Sequence, residues 1–443
     1  MNPDRSDVFF KVLPGASPDV YCGQLEELTL FYAPGYLAAA AEREAAEITG
    51  ILRGELPFGK DRTAHYLTYA ALSARETLRM AQDPARYKPV CLTLYTTLKC
   101  GLSCSYCFSR KAREEDLLLD EAFIFKTGRD VIENCRAAGE PFTLVFHGGG
   151  EPSMDPRLPF IFETLKKMCT NAGVPFRSYI ATNGVMPRQT AVWIAENIDE
   201  IGLSVDGPPE IQDSQRPLFD LGKSSGPVEK TAEVFREHQK SFTARVTILP
   251  ENYHRMAEIA DYLLQRLRAE TVHIEPVYAR GNISVSEAAD AFCGHFLALK
   301  QLLGEKLTFS GSRIREVHGR YCSVFRQTAQ AVPEKGLSAC FALSSRSEAD
   351  REGLLVRQGN LQDLFDRLSV EDPACGTCFA RYHCARGCPD VCPALTPGPR
   401  DAGSFRCRIS RTLAEAELLD AAEKQLVPFA RQYGAAGMRL REG

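Results

Sequence analysis

No apolar run in this 443-residue chain approaches the ~20 residues that cross a bilayer, and the opening Met1-Asn2-Pro3-Asp4-Arg5 lacks the positive-then-apolar order of a secretory signal. Dense basic runs are missing as well: 53 Lys and Arg stand against 57 Asp and Glu, for a net charge of -4. A phosphate backbone therefore finds no stripe to neutralise it. There is no low-complexity tract and no internal repeat beyond a strand-helix alternation. Membrane-spanning, nucleic-acid-binding and repeat-scaffold roles fall away, and a soluble cytoplasmic protein is expected.

Cysteine, by contrast, is plentiful, at sixteen residues. Disulfide frameworks belong to short secreted domains, and this chain is long and shows no export signal, so metal ligation is the leading explanation. Nine of the sixteen fall in two groups and their approaches: Cys100, Cys104 and Cys107, then Cys375, Cys378, Cys384, Cys388, Cys392 and Cys407. Cys22, Cys91, Cys135, Cys169 and Cys293 sit in apolar surroundings, where a thiol acts as a small hydrophobe, and receive no role.

With 44% hydrophobic residues the chain can bury one large core and a smaller one beside it. Residues 1–88 read as a small α+β module. Leu28 to Tyr32, the turn Ala33-Pro34-Gly35 and Tyr36 to Ala38 suggest a hairpin, followed by a helix near Ala40 to Arg53. Beyond it, six short apolar runs (Val90 to Tyr95, Phe142 to Phe146, Ser178 to Ala181, Glu200 to Val205, Ala244 to Leu249, Val272 to Val277) alternate with amphipathic stretches. The helical stretches are Glu121 to Ala138, Leu158 to Ala172, Arg188 to Asn197, Val228 to His238 and His254 to Arg268, with a last one near Ser286 to Leu303. This alternation predicts a parallel sheet with outer helices, whose chemistry sits on the loops after the strands' carboxyl ends. A region rich in Cys, Pro and Gly follows, until Thr412 to Leu426 offers a terminal helix. The organisation expected is 1–88, 89–305, 306–411 and 412–443.

Thr96-Thr97-Leu98-Lys99-Cys100-Gly101-Leu102-Ser103-Cys104-Ser105-Tyr106-Cys107 places three thiols at C-x3-C-x2-C on the loop after the first strand of the alternation. Structural zinc wants four closed ligands. A four-iron four-sulfur cluster given three thiolates keeps one iron open to a cofactor or substrate. Zinc and unligated thiols are the competing readings.

That spacing, with an aromatic just before the third cysteine, resembles the S-adenosylmethionine radical superfamily. The resemblance runs over roughly residues 90–410 and implies a partial (β/α)6 TIM-like barrel. His147-Gly148-Gly149-Gly150-Glu151-Pro152 is similar to the family's GGE motif, which implies that Gly149, Gly150 and Glu151 receive the cofactor's ammonium group. Ser204-Val205-Asp206-Gly207, with Asp213, Arg216 and Pro217, resembles the strand-four segment whose polar residues hold the ribose. Arg245 looks like the fifth-strand arginine that pairs with the cofactor carboxylate, Tyr106 would lie by the adenine, and Asn183 is a possible ribose contact. Each has a plainer reading: a tight turn for the glycines and for Asn183-Gly184, a helix-capping strand end for Ser204 and Asp206, a surface ion pair for Arg245.

Cys375-x2-Cys378-x5-Cys384-x3-Cys388, with Cys407 beyond, resembles the SPASM extension of peptide- and protein-modifying members, which binds two auxiliary clusters. On that pattern Cys375, Cys378, Cys384 and Cys407 ligate one cluster, and Cys388 joins Cys322 and Cys340 on the other. The segment Cys322-x13-Gly336-x3-Cys340 departs from the pattern by one residue, and no cysteine lies just ahead of Cys322. Cys392 fills the fourth position, or that iron stays open. Half a zinc site is the competing reading of the CxxC pair.

The resemblance implies three four-iron four-sulfur clusters and S-adenosylmethionine, reduced by a donor such as flavodoxin or ferredoxin and cleaved to a 5'-deoxyadenosyl radical that takes a C–H hydrogen. The expected activity is maturation of a ribosomally made peptide by a thioether or carbon-carbon cross-link, with residues 1–88 holding a leader segment. One alternative is a formylglycine-forming oxidase of the sulfatase-maturase kind, against which Phe341 stands where relatives place an aspartate. Another is a non-catalytic iron-sulfur carrier or zinc-stapled scaffold.

Overall fold

The computed structural model describes residues 9–16, 19–59, 62–107, 109, 117–277, 284–311, 314–317, 322–340, 352–357, 359–369, 373–384 and 401–440. The chain opens with the antiparallel strands β1 (Lys11–Val12), β2 (Tyr21–Leu25), β3 (Leu28–Ala33) and β4 (Tyr36–Ala41). Helices α1 (Glu42–Leu52) and α2 (Arg62–Ala81) follow and cover one face of this sheet through Ile48, Ile51, Ala64 and Leu67. The hairpin and α1 match the sequence expectation. β1, β2 and α2 go beyond it.

Six parallel strands in sequential order make the centre: β5 (Cys91–Leu94), β6 (Phe142–Phe146), β7 (Phe176–Thr182), β8 (Glu200–Ser204), β9 (Thr243–Ile248) and β10 (Thr271–Pro276). The crossovers carry α3 (Glu121–Ala138), α4 (Leu158–Ala172), α5 (Arg188–Asn197), α6 (Pro209–Gln215), α7 (Ser225–Glu237) and α8 (Met256–Asp261), and α9 (Val285–Leu303) follows β10. Local chemistry fixes where they begin. Asp120, for example, caps α3 by accepting from the Phe123 amide at 2.7 Å, satisfying a donor that has no partner within the helix. The stretch expected as one helix from His254 to Arg268 is instead a 3-10 turn, α8 and a π turn over Tyr262–Arg266.

Strand alternation divides the barrel into two environments. Leu92, Leu144, Ile180, Leu203, Val246 and Ile274 belong to the core shared with the helices. The intervening positions, in register across the sheet, are mostly polar or small: Thr93 beside Val145, Val145 beside Tyr179, Ala181 beside Gly202, Ser204 beside Arg245, Arg245 beside His273, and Thr247 beside Glu275. Burying each large apolar side chain on the outer face contributes about 1.5–3 kcal/mol, so stability comes from that face and the lumen is free for chemistry.

Short strands extend both barrel edges. β11 (Leu307–Thr308) pairs with β10, β12 (Thr328–Val332) lies parallel to β5, and β13 (Gly336–Leu337) pairs antiparallel with β12. The segment between Cys322 and Cys340 is thereby laid against the strand that feeds the three-cysteine loop. The end of the chain goes beyond the terminal helix expected over Thr412 to Leu426. A helix over Asp401–Ala421 continues through a π turn and a second helix, Val427–Tyr433, to β14 (Ala436–Arg439). β14 pairs with β4, and the helices bury the other face of the N-terminal sheet.

Candidate active site

The three-cysteine loop leaves β5 and is fastened along its length by backbone hydrogen bonds. Tyr95 donates to the Ala331 carbonyl at 3.0 Å, Leu98 to Leu117 at 3.1 Å, Ser103 to Pro217 at 2.8 Å and Ser105 to Gln215 at 2.9 Å. Cys104 is buried, Cys100 and Cys107 are half-buried, and none of the three is in a disulfide. Asn183 donates its side-chain amide to the Cys100 sulfur at 3.6 Å.

Gly150 lies against the root of this loop, because a Cβ at that position would stand 2.3 Å from the Lys99 carbonyl oxygen. The glycine thus admits the loop's backbone. The next amide, Glu151, donates to that same carbonyl at 2.7 Å. The Glu151 carboxylate is buried and accepts from the Thr182 hydroxyl at 2.6 Å, the Asn183 amide at 2.7 Å and the Ser153 amide at 3.1 Å. Burial raises its carboxyl above the ordinary range, while those three donors pull it back toward the ionised form.

Asp206 is fully buried at the end of β8. Its oxygens accept from the Tyr106 hydroxyl at 2.5 Å, the Gln215 amide at 2.8 Å and the Thr247 backbone at 3.0 Å, and Arg216 lies 3.5 Å away. Arg216 also donates to the Tyr106 hydroxyl at 2.8 Å. Tyr106 and Asp206, expected beside the cofactor, therefore meet each other, and their polar atoms tie the loop to β8, α6 and β9. Asp213 turns away from the lumen to accept from the backbone and hydroxyl of Ser225.

Arg245 lies between Ser204 and His273 in register, and the Tyr179 hydroxyl is 3.4 Å from its guanidinium. A Cβ on Gly202 would stand 2.2 Å from that hydroxyl and 2.8 Å from the Arg245 Cδ, so this glycine makes room for both side chains. His147 stacks on Tyr95 with ring centroids 5.8 Å apart. Burial first, then the nearby Arg245 charge, pull its pKa down to about 4. Tyr179, Gly202 and Thr182 escape sequence reasoning, since their roles depend on register between strands distant in the chain.

The second group of cysteines also converges. Crowding by surrounding protein, then Cys384, Cys375 and Cys378, push the Cys407 thiol up to about 12, although part of the residue faces solvent. Cys322 and Cys340 share one buried apolar cluster, and Cys340 is near enough to Tyr95 at the barrel mouth to oppose its ionisation. Cys388 and Cys392 lie outside the described residues. The segment carrying this group is clamped by the N-terminal sheet: Tyr21 donates to the Cys378 carbonyl at 3.1 Å, Tyr382 to Asp19 at 2.5 Å, and Tyr32 is hydrogen-bonded to His383.

Among the described residues no group of three or more Cys, His, Asp or Glu side chains is placed to hold a single metal ion. Near the first group, Thr96 Oγ1, Ser153 Oγ and Arg216 Nε are buried without a hydrogen-bond partner. Buried polar atoms of that kind call for a bound polar group. Among the described residues, no helix is long and apolar enough to cross a membrane.

A profile of the radical SAM superfamily matches residues 94–263. The tungsten-containing aldehyde ferredoxin oxidoreductase cofactor-modifying protein of Pyrococcus furiosus is 24% identical over 177 residues, 39% of this chain and 48% of that protein. The cysteine-type anaerobic sulfatase-maturating enzyme of Clostridium perfringens is 25% identical over 177 residues, 38% of this chain and 46% of that protein. The chain thus spans about half the length of the curated relatives it matches. Among solved structures, native anSMEcpe with bound AdoMet and Cp18Cys peptide superposes with a TM-score of 0.59 at 16% identity, covering 75% of this chain and 98% of that one, a likeness of fold. Residues 94–263, which hold the three-cysteine loop, Glu151 and Arg245, are a radical SAM domain of the enzyme superfamily of that name.

Proposed function

We propose that this protein is a cytoplasmic radical SAM maturase that removes hydrogen from a ribosomally made peptide and closes a thioether or carbon-carbon cross-link in it. The observation that carries the reading is that β12, in the segment between Cys322 and Cys340, lies parallel to β5, whose following loop bears Cys100, Cys104 and Cys107. A cluster bound to these thiols, with S-adenosylmethionine, would supply hydrogen-atom abstraction from an unactivated carbon, and auxiliary clusters would supply an electron acceptor.

The chain's own residues prepare that chemistry. Glu151, held by three donors, would receive the cofactor's ammonium group, and Asn183 borders both Glu151 and Cys100. Arg245, backed by Tyr179 and beside Ser204 in register, would pair with the cofactor's carboxylate. Neutral His147 places no second positive charge beside the arginine. Asp206, Tyr106, Gln215 and Arg216 hold the loop still and exclude water from its inner side. Cys375, Cys378, Cys384 and Cys407 would hold one auxiliary cluster, and Cys322 and Cys340, joined by Cys388, the other, its fourth position filled by Cys392 or left open. The N-terminal module is read as the holder of a leader segment.

Sulfatase-type maturation is the second reading, favoured by the likeness to an anaerobic sulfatase-maturating enzyme. Phe341 weakens it, because an aspartate there would take the substrate's proton. Mass spectrometry of a co-expressed precursor decides between them: loss of two hydrogens per cross-link supports the first reading, and an aldehyde at a cysteine or serine supports the second. Anaerobically reconstituted protein should bind about twelve irons per chain for three four-iron clusters. Zinc with negligible sulfide would overturn both readings.

A further inference from the structure

On β10, the last long strand of the barrel, His273 and Glu275 alternate with the core residues Val272 and Ile274 and so face the lumen. Register sets His273 between Arg245 on β9 and Thr308 on β11, with all three side chains on one face. The His273 ring is held at both nitrogens. Nδ1 lies 2.9 Å from the Thr308 hydroxyl, and Nε2 lies 3.1 Å from Oε1 of Glu275. The Ser310 amide donates to that same carboxylate oxygen at 2.9 Å. A hydroxyl, an imidazole and a carboxylate thus stand in one hydrogen-bonded row across two strands.

The row has a direction. Crowding by the barrel wall opposes the charge of Glu275, yet the His273 hydrogen bond, the Arg406 charge and the Ser310 amide outweigh it and bring the pKa down to about 2. An ionised carboxylate only accepts, so Nε2 carries the hydrogen of the neutral imidazole. Nδ1 keeps its lone pair and receives the Thr308 hydroxyl. The other charged groups that face the row are Arg245 and Arg406, the latter reaching from the C-terminal helix to the Ser310 hydroxyl at 3.4 Å. Thr308 is only half-buried, and β11 is one end of the nine-stranded sheet, with β13 at the other. Among the described residues its hydroxyl has His273 as its one hydrogen-bond partner, which leaves the oxygen able to accept from a molecule in the lumen.

Resting on the reading that this barrel cross-links a peptide, we propose that Thr308, His273 and Glu275 form the relay that receives the proton the substrate loses as its new bond closes. A cross-linked peptide gives up two hydrogens in different forms. One leaves a carbon as an atom, taken by the 5'-deoxyadenosyl radical. The other sits on the second partner, the sulfur in a thioether, and its bond breaks as the carbon radical and that sulfur join. Of the three electrons then present, two form the carbon-sulfur bond and one passes to an auxiliary iron-sulfur cluster. The proton goes to the Thr308 oxygen while the hydroxyl's own proton moves to Nδ1 of His273. Glu275 meets the charge that the imidazole gains, and the proton returns to solvent after product leaves.

The test uses holoenzyme with its precursor peptide. In His273→Gln and in Thr308→Val, cross-linked product should fall about a hundredfold while 5'-deoxyadenosine forms within about twofold of the wild-type amount. Radical formation is then uncoupled from bond closure, which a merely structural role would not do. Thr308→Ser, which keeps the hydroxyl, should keep the product. Product retained by Thr308→Val would overturn the relay, as would 5'-deoxyadenosine falling in step with product in both variants. A second measurement needs no turnover. Nitrogen-15 spectra of the oxidised holoenzyme, which has eight histidines, should show His273, assigned by its loss in His273→Gln, with hydrogen on Nε2 and none on Nδ1. The opposite tautomer would overturn the relay too. If wild-type protein made no cross-link, the maturase reading would fail, while the tautomer would still judge the row of hydrogen bonds.

Discussion

Gly202 is a residue whose importance lies in what it lacks. An alanine methyl there would meet the Tyr179 hydroxyl at 2.2 Å and Arg245 at 2.8 Å, forcing the arginine from its place in the lumen. Gly202→Ala should weaken S-adenosylmethionine binding by roughly ten- to a hundredfold, about 1.4–2.8 kcal/mol, read by equilibrium binding to reconstituted protein. Tyr179→Phe in the same chain should restore part of it, since the hydroxyl is the nearest obstacle. His147 has a different signature. It is neutral in the fold with its pKa near 4, against about 6.5 when unfolded. As pH falls through that window the unfolded chain takes up a proton that the native state refuses. Stability should drop by up to about 3 kcal/mol between pH 6.5 and 4 and be indifferent to this residue above 6.5. His147→Gln should flatten that part of the urea-midpoint profile.

Among the elements, the three-cysteine loop depends on neighbours that follow it by a hundred residues or more in the chain. Asp206 anchors the loop through Tyr106 and Arg216, and Asp206→Asn leaves Arg216 buried without its counter-charge. A loss of roughly 2–4 kcal/mol in denaturant unfolding is expected, with less iron retained on reconstitution. The barrel strands themselves were legible, because each is a short apolar run bounded by turn residues. Helix α2 was not: its buried stripe is Thr63, Ala64, Leu67, Ala71, Ala74 and Leu78, half of it alanine, which barely stands out from its surroundings. Nor was β14, whose Ala-Gly-Met-Arg carries no alternation. Thiol spacing marked where a cluster could sit. The internal partners of Asp206 stayed hidden, because a polar strand end reads the same whether it faces a ligand or another side chain.

For the whole molecule, the decisive feature is that β14 completes the N-terminal sheet. A Cβ on Gly437 would stand 2.0 Å from the Tyr36 hydroxyl, so Gly437→Val should unseat the strand. Calorimetry should then show the sheet melting ahead of the barrel. Because Asp19, Tyr21 and Tyr32 hold the 378–383 segment, about four irons per chain should be lost as well, with the first cluster's signal retained.

The same closure orders events during synthesis. β4 leaves the ribosome early and waits with one edge bare, a row of amides and carbonyls open to any stray strand, until the barrel and both cysteine regions have emerged. On the proposed reading, metal delivery to Cys375, Cys378 and Cys384 can therefore precede the final zipping of the sheet, and a nascent chain stalled before β14 would be the form most in need of a chaperone.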